Sequence, residues 1–211
     1  MLRKLSPSKL NLLEECPRCF WLSIVKKIDR PSGPMASIVI KMDSIIKHYF
    51  DRYREKNQLP PIIKGIVKGR LPKNMPKTLN HQVNETIILT GKPDEYLEID
   101  GGLIVPFDHK TKSKSPEENH PAHLLQMDVY CFLLKANGYK TTNKAFLAYY
   151  YPDDCDLHNG MDIHCKVMQI TTNPSRVKDL LEKAQKVLEG KIPKAGKDCD
   201  YCKWHAKADS L

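Results

Sequence analysis

Asp94, Asp108 and Lys110 are the residues whose types and spacing could do chemistry. They stand in "GKPDEYLEIDGGLIVPFDHKTKSK", residues 91–114. The Asp-Gly-Gly at 100–102 reads as a hairpin turn. The runs on either side then read as two paired strands, with Asp94 and Asp108 meeting at one end of the sheet. Two converging carboxylates make a hard-oxygen site suited to Mg²⁺ or Mn²⁺. Such a site can activate a water and offset charge developing on a phosphate. Lys110 lies two residues beyond Asp108, so strand alternation puts it on the same face. There it can polarise the water or hold the scissile phosphate. The plain alternative is an exposed Asp-x-Lys at a strand end.

A second constellation is made of cysteines. The chain has seven. Four form two Cys-x-x-Cys pairs, Cys16/Cys19 in "CPRC" and Cys199/Cys202 in "CDYC". In a reducing compartment such pairs point to a metal or an iron–sulfur cluster rather than to disulfides. Four thiolates suffice for tetrahedral zinc or for a four-iron four-sulfur cluster. The wide separation of the pairs suits a clamp tying residues 1–35 to residues 190–211. His205 is the other candidate for the fourth ligand. Trp21, Tyr201 and Trp204 flank the pairs, as a shield or as ordinary packing.

The chain carries 34 basic and 25 acidic side chains, for a formal charge of +9. That excess favours a polyanionic partner, nucleic acid first, because neutralised phosphates release counterions. No apolar run approaches the roughly 18–20 residues of a membrane-spanning helix, and the N-terminus lacks the pattern of a secretory signal. A cytoplasmic protein without membrane partners is expected. Its 211 residues suit one domain.

The elements that must position these residues follow from periodicity and punctuation. Ser6 and Pro7 read as the cap and first turn of a helix. A helix is expected from about 36 to 54, with Ile38, Met42, Ile45, Ile46, Tyr49 and Tyr53 at helical spacing. The proline-broken stretch 57–80 reads as loops with short elements. "ETIILTG", "DEYLEI" and "GLIVPFDHK" read as an antiparallel meander. A helix starts at Pro121 and ends before Gly138, and Gln126 and Tyr130 share one of its faces. Strands follow at "KAFLAYYY" and "IHCKVMQITT", then an amphipathic helix with Val177, Leu180, Leu181, Ala184 and Leu188 on one side. The tail from 192 reads as a loop bearing the second cysteine pair.

The order of these motifs resembles the PD-(D/E)XK nuclease superfamily. The nearest branch is similar to the RecB-type nucleases, including the AddB nuclease domain and the Cas-four nucleases of CRISPR adaptation. The resemblance runs through Cys16 in "ECPRCFWL", His48 in "SIIKHYF", Asp94 in "GKPDEYLEI", Asp108 and Lys110 in "FDHKT", Gln126 and Tyr130 in "HLLQMDVY", and Cys199 and Cys202 in "CDYCKWH". It implies a single α/β domain over 1–211, with a restriction-endonuclease-like core, a central mixed sheet flanked by helices, and chain ends tied by the cysteine cluster. It implies Asp94, Asp108 and Lys110 as the catalytic set. Asp94, Asp108, His48 and the backbone carbonyl of His109 would be the ligands of Mg²⁺ or Mn²⁺. Gln126 and Tyr130 would face the substrate strand. His120 and His123 lie near the same chemistry and read as surface residues.

The implied activity is a metal-dependent DNA nuclease, an exonuclease on single-stranded DNA or DNA ends. Repair, recombination or CRISPR adaptation would be its setting, with a helicase or integrase complex as partner. The branch commonly has one N-terminal and three C-terminal cysteines around its four-iron four-sulfur cluster. This chain has none after Cys202, so Cys19 must supply the fourth thiolate and zinc stays open. Two rivals belong to other classes: a nucleic-acid-binding module without turnover, and a zinc-clamped adaptor of a larger complex.

Overall fold

The computed structural model describes residues 2–210. Among the described residues, seven strands fall into two sheets. β4 (Glu95–Ile99), β5 (Leu103–Thr111), β6 (Lys144–Pro152) and β7 (Ile163–Thr171) form the larger one in that order. β4 and β5 are antiparallel, β5 and β6 parallel, and β6 and β7 antiparallel. In the smaller sheet β3 (Ile87–Gly91) lies between β1 (Arg3–Leu5), parallel to it, and β2 (Leu79–Gln82), antiparallel. The expected mixed sheet flanked by helices is therefore present as two hydrogen-bonded groups.

The expected meander breaks between β3 and β4. Pro93 has no N–H to offer a ladder, and the Lys92 carbonyl accepts the Tyr130 hydroxyl at 2.9 Å. β3 accordingly turns away and pairs with β1. The hairpin between β4 and β5 forms where expected. Its turn places Gly101 at φ +77° and Gly102 at +72°, a region that side-chain-bearing residues avoid.

Helix α4 (Pro121–Ala136) makes the crossover between the parallel strands β5 and β6. It is apolar nearly all round because it is buried on both sides. Leu125, Val129, Leu133 and Leu134 pack into a core with Leu5, Leu79, Ile87 and Leu89 of the small sheet, with α1 (Pro7–Glu15) and with α5 (Ser175–Glu189). Met127, Tyr130 and Cys131 pack instead on Ala145, Leu147 and Tyr149 of β6. The other face of the large sheet carries Val105, Phe107, Phe146, Ala148 and Tyr150. Against it lie Ile46 and Phe50 of α3 (Ser37–Arg54). Strand alternation thus sends Phe107 toward α3 and its neighbour Asp108 toward α4.

Two details differ from the sequence reading. Ile38 and Ile45 of α3 stay exposed, since its buried face is set by Ile46 and Phe50. The cysteine-bearing tail is not wholly loop: α6 spans Asp200–Ala208 and begins just after Cys199. A short α2 (Pro17–Trp21) starts in the same way after Cys16, whose side chain caps it.

Candidate active site

The β4–β5 register pairs Glu95 with Phe107. Asp94, one residue before β4, therefore lies opposite Asp108. The backbone N–H of His109 donates to Asp94 Oδ2 at 3.1 Å, which fixes that carboxylate at the sheet edge. Asp108 is almost fully buried, at 1% exposure. Burial pushes its carboxyl well above the usual range, opposed by the Lys110 ammonium and reinforced by the Asp94 charge.

Lys110 forms an ion pair with Asp108 Oδ2 and donates to Gln126 Oε1 at 2.8 Å. The Gln126 amide nitrogen donates to Asp108 Oδ1 at 3.3 Å and to the Tyr130 hydroxyl at 2.8 Å. Tyr130 donates its own hydroxyl hydrogen bond to the Lys92 carbonyl, and burial raises its pKa, so it remains a hydroxyl donor. Strand alternation and helical i,i+4 spacing thus deliver one connected network. Each charged or polar head orders its neighbour, as a site with developing charge requires.

The histidines divide differently. The His109 ring points to the α3 face, 4.4 Å from the Phe50 ring and within hydrogen-bond reach of the Tyr150 hydroxyl at 3.2 Å. Burial drives its pKa down to about 4, so it is a neutral core residue. Its backbone is another matter. The N–H and C=O of one strand residue point to the same side, so the His109 carbonyl opens toward Asp94, past the start of β4. His48 is exposed on α3, and its Nδ1 is engaged with the Ser44 carbonyl at 2.7 Å. Among the described residues, no group of His48, Asp94 and Asp108 has its ligand atoms within 4.8 Å of one another. The residue that α3 sends to the site is Lys47, 3.5 Å from Asp94 Oδ1 and 2.8 Å from Asp43. His120 caps α4, accepting from the Ala122 N–H at 3.2 Å. His123 faces Tyr149 rather than solvent alone.

Sequence reasoning also missed Glu95 and Arg54. Glu95 is 3% exposed on the α3 face, and its burial lifts its pKa to about 7 against the pull of Arg54. Arg54 pairs with both Glu95 and Asp51. The pair anchors α3 to the residue next to Asp94. Arg54→Met is expected to cost about 3 kcal/mol in urea unfolding, because it strands a buried carboxylate. The double variant with Glu95→Gln should recover most of that loss.

Two carboxylates and a backbone carbonyl are all oxygen donors. That set fits a hard divalent cation and not a soft one.

The four paired cysteines come together elsewhere. Cys16 Sγ is 3.8 Å from Cys202 Sγ, and Cys19 Sγ is 3.6 Å from both Cys199 and Cys202. All four sulfurs lie within 4.8 Å of one another, too far apart for disulfides. Thiolates around one tetrahedral ion with bonds of about 2.3 Å stand roughly 3.8 Å apart. Donors surround the sulfurs: the Gly196 N–H reaches Cys16 at 3.2 Å, and Arg30 reaches Cys199 at 3.4 Å. Against the burial that raises it, the amides of Cys19 and Gly196 bring the Cys16 thiol down to about 6. Gly196 is needed for this approach, since a Cβ there would sit 2.5 Å from the Glu15 carbonyl oxygen. Cys19, and not His205, completes the group of four sulfurs. His205 is exposed and paired with Asp209 at 2.8 Å. Trp204, at 72% exposure, does not shield the sulfurs.

The family model described as the PD-(D/E)XK nuclease superfamily matches residues 39–206. No protein of curated function matches the chain. Among solved structures the chain is similar to the crystal structure of SSO0001, with 16% identity over 96% of this chain and 84% of that one, at a TM-score of 0.49. It is also similar to an alkaline exonuclease, LHK-Exo, from Laribacter hongkongensis, with 11% identity over 99% and 94% of the two chains and a TM-score of 0.47. LHK-Exo in complex with dAMP gives 13% identity over the same shares and a TM-score of 0.41.

Proposed function

The chain belongs to the PD-(D/E)XK nuclease superfamily, and from that premise we propose that it is a metal-dependent deoxyribonuclease acting on single-stranded DNA or DNA ends. The observation that carries this reading is the network joining Asp108, Lys110, Gln126 and Tyr130 beside Asp94. Asp94, Asp108 and the His109 carbonyl would hold Mg²⁺ or Mn²⁺. When bound, the cation would supply an acidified water and charge to offset that of the phosphate.

The chain's own groups do the rest. Lys110 holds its ammonium toward the scissile phosphate and orients the attacking water; with Asp108 holding a cation, the ammonium would be free of its present carboxylate partner. Gln126 fixes Lys110 from behind, and Tyr130 fixes Gln126, so the ammonium enters the reaction already aimed. The order Cys16, Asp94, Asp108, Lys110, Gln126, Tyr130, Cys199 supports placement in the RecB-type branch. Work beside a helicase or integrase complex in repair, recombination or CRISPR adaptation is the setting that branch implies.

For the thiolates we favour one zinc ion over the four-iron four-sulfur cluster. Sulfur separations of 3.6–3.8 Å support this. A cluster would place a cage of irons and sulfides between the thiolates and hold them much farther apart.

The test uses the purified chain with end-labelled single-stranded DNA, duplex DNA and RNA. Cleavage of DNA on adding Mn²⁺ or Mg²⁺, and none without added cation, is the expected result. DNA binding with no turnover under any cation would overturn the reading in favour of a binding module.

A further inference from the structure

Helix α3 carries more apolar surface than the sheet covers. At 100° per residue, Ile38, Met42, Ile45, Ile46, Tyr49 and Phe50 fall within an arc of about 140°. Ile46 and Phe50 are buried on the large sheet. Ile38, in the first turn, is 59% exposed, and Met35, Val39 and Ile45 are exposed with it. Along one edge of the arc stand Lys41, His48 and Arg52, all exposed.

A second uncovered stretch is the tip of the β6–β7 hairpin, residues 153–162, exposed throughout. Leu157 is 82% exposed there, and Met161 is exposed too. The tip holds Asp153, Asp154, Asp156 and Asp162 and no lysine or arginine, on a chain whose formal charge is +9. Among the described residues, Asp153 is the one of these four with an ion-pair partner, His164 at 3.0 Å. Four aspartates repel a nucleic-acid strand. Bare apolar side chains beside them fit a partner surface that is both apolar and basic. The start of α3 is such a surface.

Both stretches lie beyond the same end of the large sheet. Arg54 of α3 meets Glu95, and Lys47 meets Asp94, so residues 37–45 continue past the end where β4 starts. Tyr150 pairs with Thr111, the last residue of β5, so the hairpin tip begins just past that end as well.

We propose that these two stretches form one docking surface for a second copy of this chain. The start of α3 in one protomer packs on the hairpin tip of its partner, and the reverse. Ile38 and Ile45 seat against Leu157 and Met161, and the Lys41–Arg52 edge faces the aspartates. Since both halves lie at one end of the molecule, a single twofold contact satisfies both and closes on itself. The two stretches offer about 20 residues a side, the size of an ordinary subunit contact. The pairing does not rest on the nuclease reading, although it sets the interface beside Lys47 and so beside the carboxylates.

The experiment is sedimentation velocity of the full chain over a concentration series, without nucleic acid. A dimer with Kd of about 1 µM is expected. Ile38→Ser should weaken it at least about thirtyfold, the effect of truncating a central apolar anchor, with circular dichroism unaltered because the side chain is exposed in the protomer. Ile192→Ser, at an apolar side chain exposed in the tail, should leave the dimer intact. Lys41→Glu and Asp156→Lys should each weaken it about tenfold. The double variant carries the charges exchanged and should return to within about threefold of the wild type.

A chain that stays monomeric up to about 100 µM overturns the proposal. So does a dimer that Ile38→Ser leaves intact, since its contact then lies elsewhere. A double variant that recovers nothing overturns the pairing of helix with tip. A strand as occupant has its own signature: Ile38→Ser that weakens single-stranded DNA binding in a chain that is monomeric throughout. None of these readouts uses cleavage, so a wild type that dimerises and cleaves nothing overturns the nuclease reading alone.

Discussion

Lys110→Met and Asp108→Asn are each expected to lower the rate of DNA cleavage by about a thousandfold, with the protein still folded. The magnitude is that of removing one preorganised electrostatic partner from a developing charge, about 3–4 kcal/mol. Lys110 pairs with the buried Asp108 carboxylate, and it is also held by Gln126. A methionine keeps the stem that packs at the strand end and deletes only the charge and its donors. Asparagine at 108 keeps the shape and one acceptor oxygen for Lys110, but loses the anionic charge that a divalent cation needs. Neither change leaves a cavity, so circular dichroism and urea unfolding should report a native protein. Lys112→Gln, at an exposed neighbour, should cleave normally. Retention of more than about a tenth of wild-type activity by Lys110→Met would remove Lys110 from the chemistry. Gln126→Ala is expected to fall between, because it loosens Lys110 without deleting it.

Loss of the thiolate cluster should produce the largest change in stability. Cys16→Ser or Cys199→Ser is expected to reduce unfolding free energy by at least about 4 kcal/mol, the scale of closing a very long loop. For a chain of this size that corresponds to a drop in Tm of roughly 10 °C. The physical reason is topological. The clamp joins the Cys16–Cys19 turn to Cys199 and Cys202, and little else holds α6, which has no fully buried side chain. A zinc chelator should do the same to the wild type and change nothing further in the variants. Elemental analysis should give one zinc per chain. A brown protein with absorbance near about 400 nm and four irons per chain would defeat the single-ion reading. The clamp should also be felt at the substrate. α1 ends on Cys16 at its C-cap and begins with Ser6 in the wall of a cleft that Gln126 also lines. Freeing one end of that helix should raise KM for DNA.

Much of this architecture is legible because it is local. A strand alternates, so Asp108 and Lys110 had to share a face wherever β5 ended up. Helical spacing likewise put Gln126 and Tyr130 together, and Asp-Gly-Gly had to turn because its glycines adopt positive φ. Ser6 at the cap of α1 and Pro121 in the first turn of α4 obey the same nearest-neighbour chemistry. The pairing of Asp94 with Asp108 follows from one short hairpin.

What spacing could not reveal depends on how elements pack across the chain. Whether α3 presents Lys47 or His48 to Asp94 depends on the rotation of that helix about its axis. That rotation is set by Ile46 and Phe50 seating on Phe107 and His109. The departure of β3 from its neighbour β4 depends on a hydroxyl from α4 capturing the Lys92 carbonyl. The distance among four sulfurs from opposite ends of the chain is invisible to Cys-x-x-Cys spacing. Sequence alone determined which chemical groups this protein owns and which of them share a face. Tertiary packing decided which faces meet, because the apolar contacts that orient one element against another come from residues far apart in the chain.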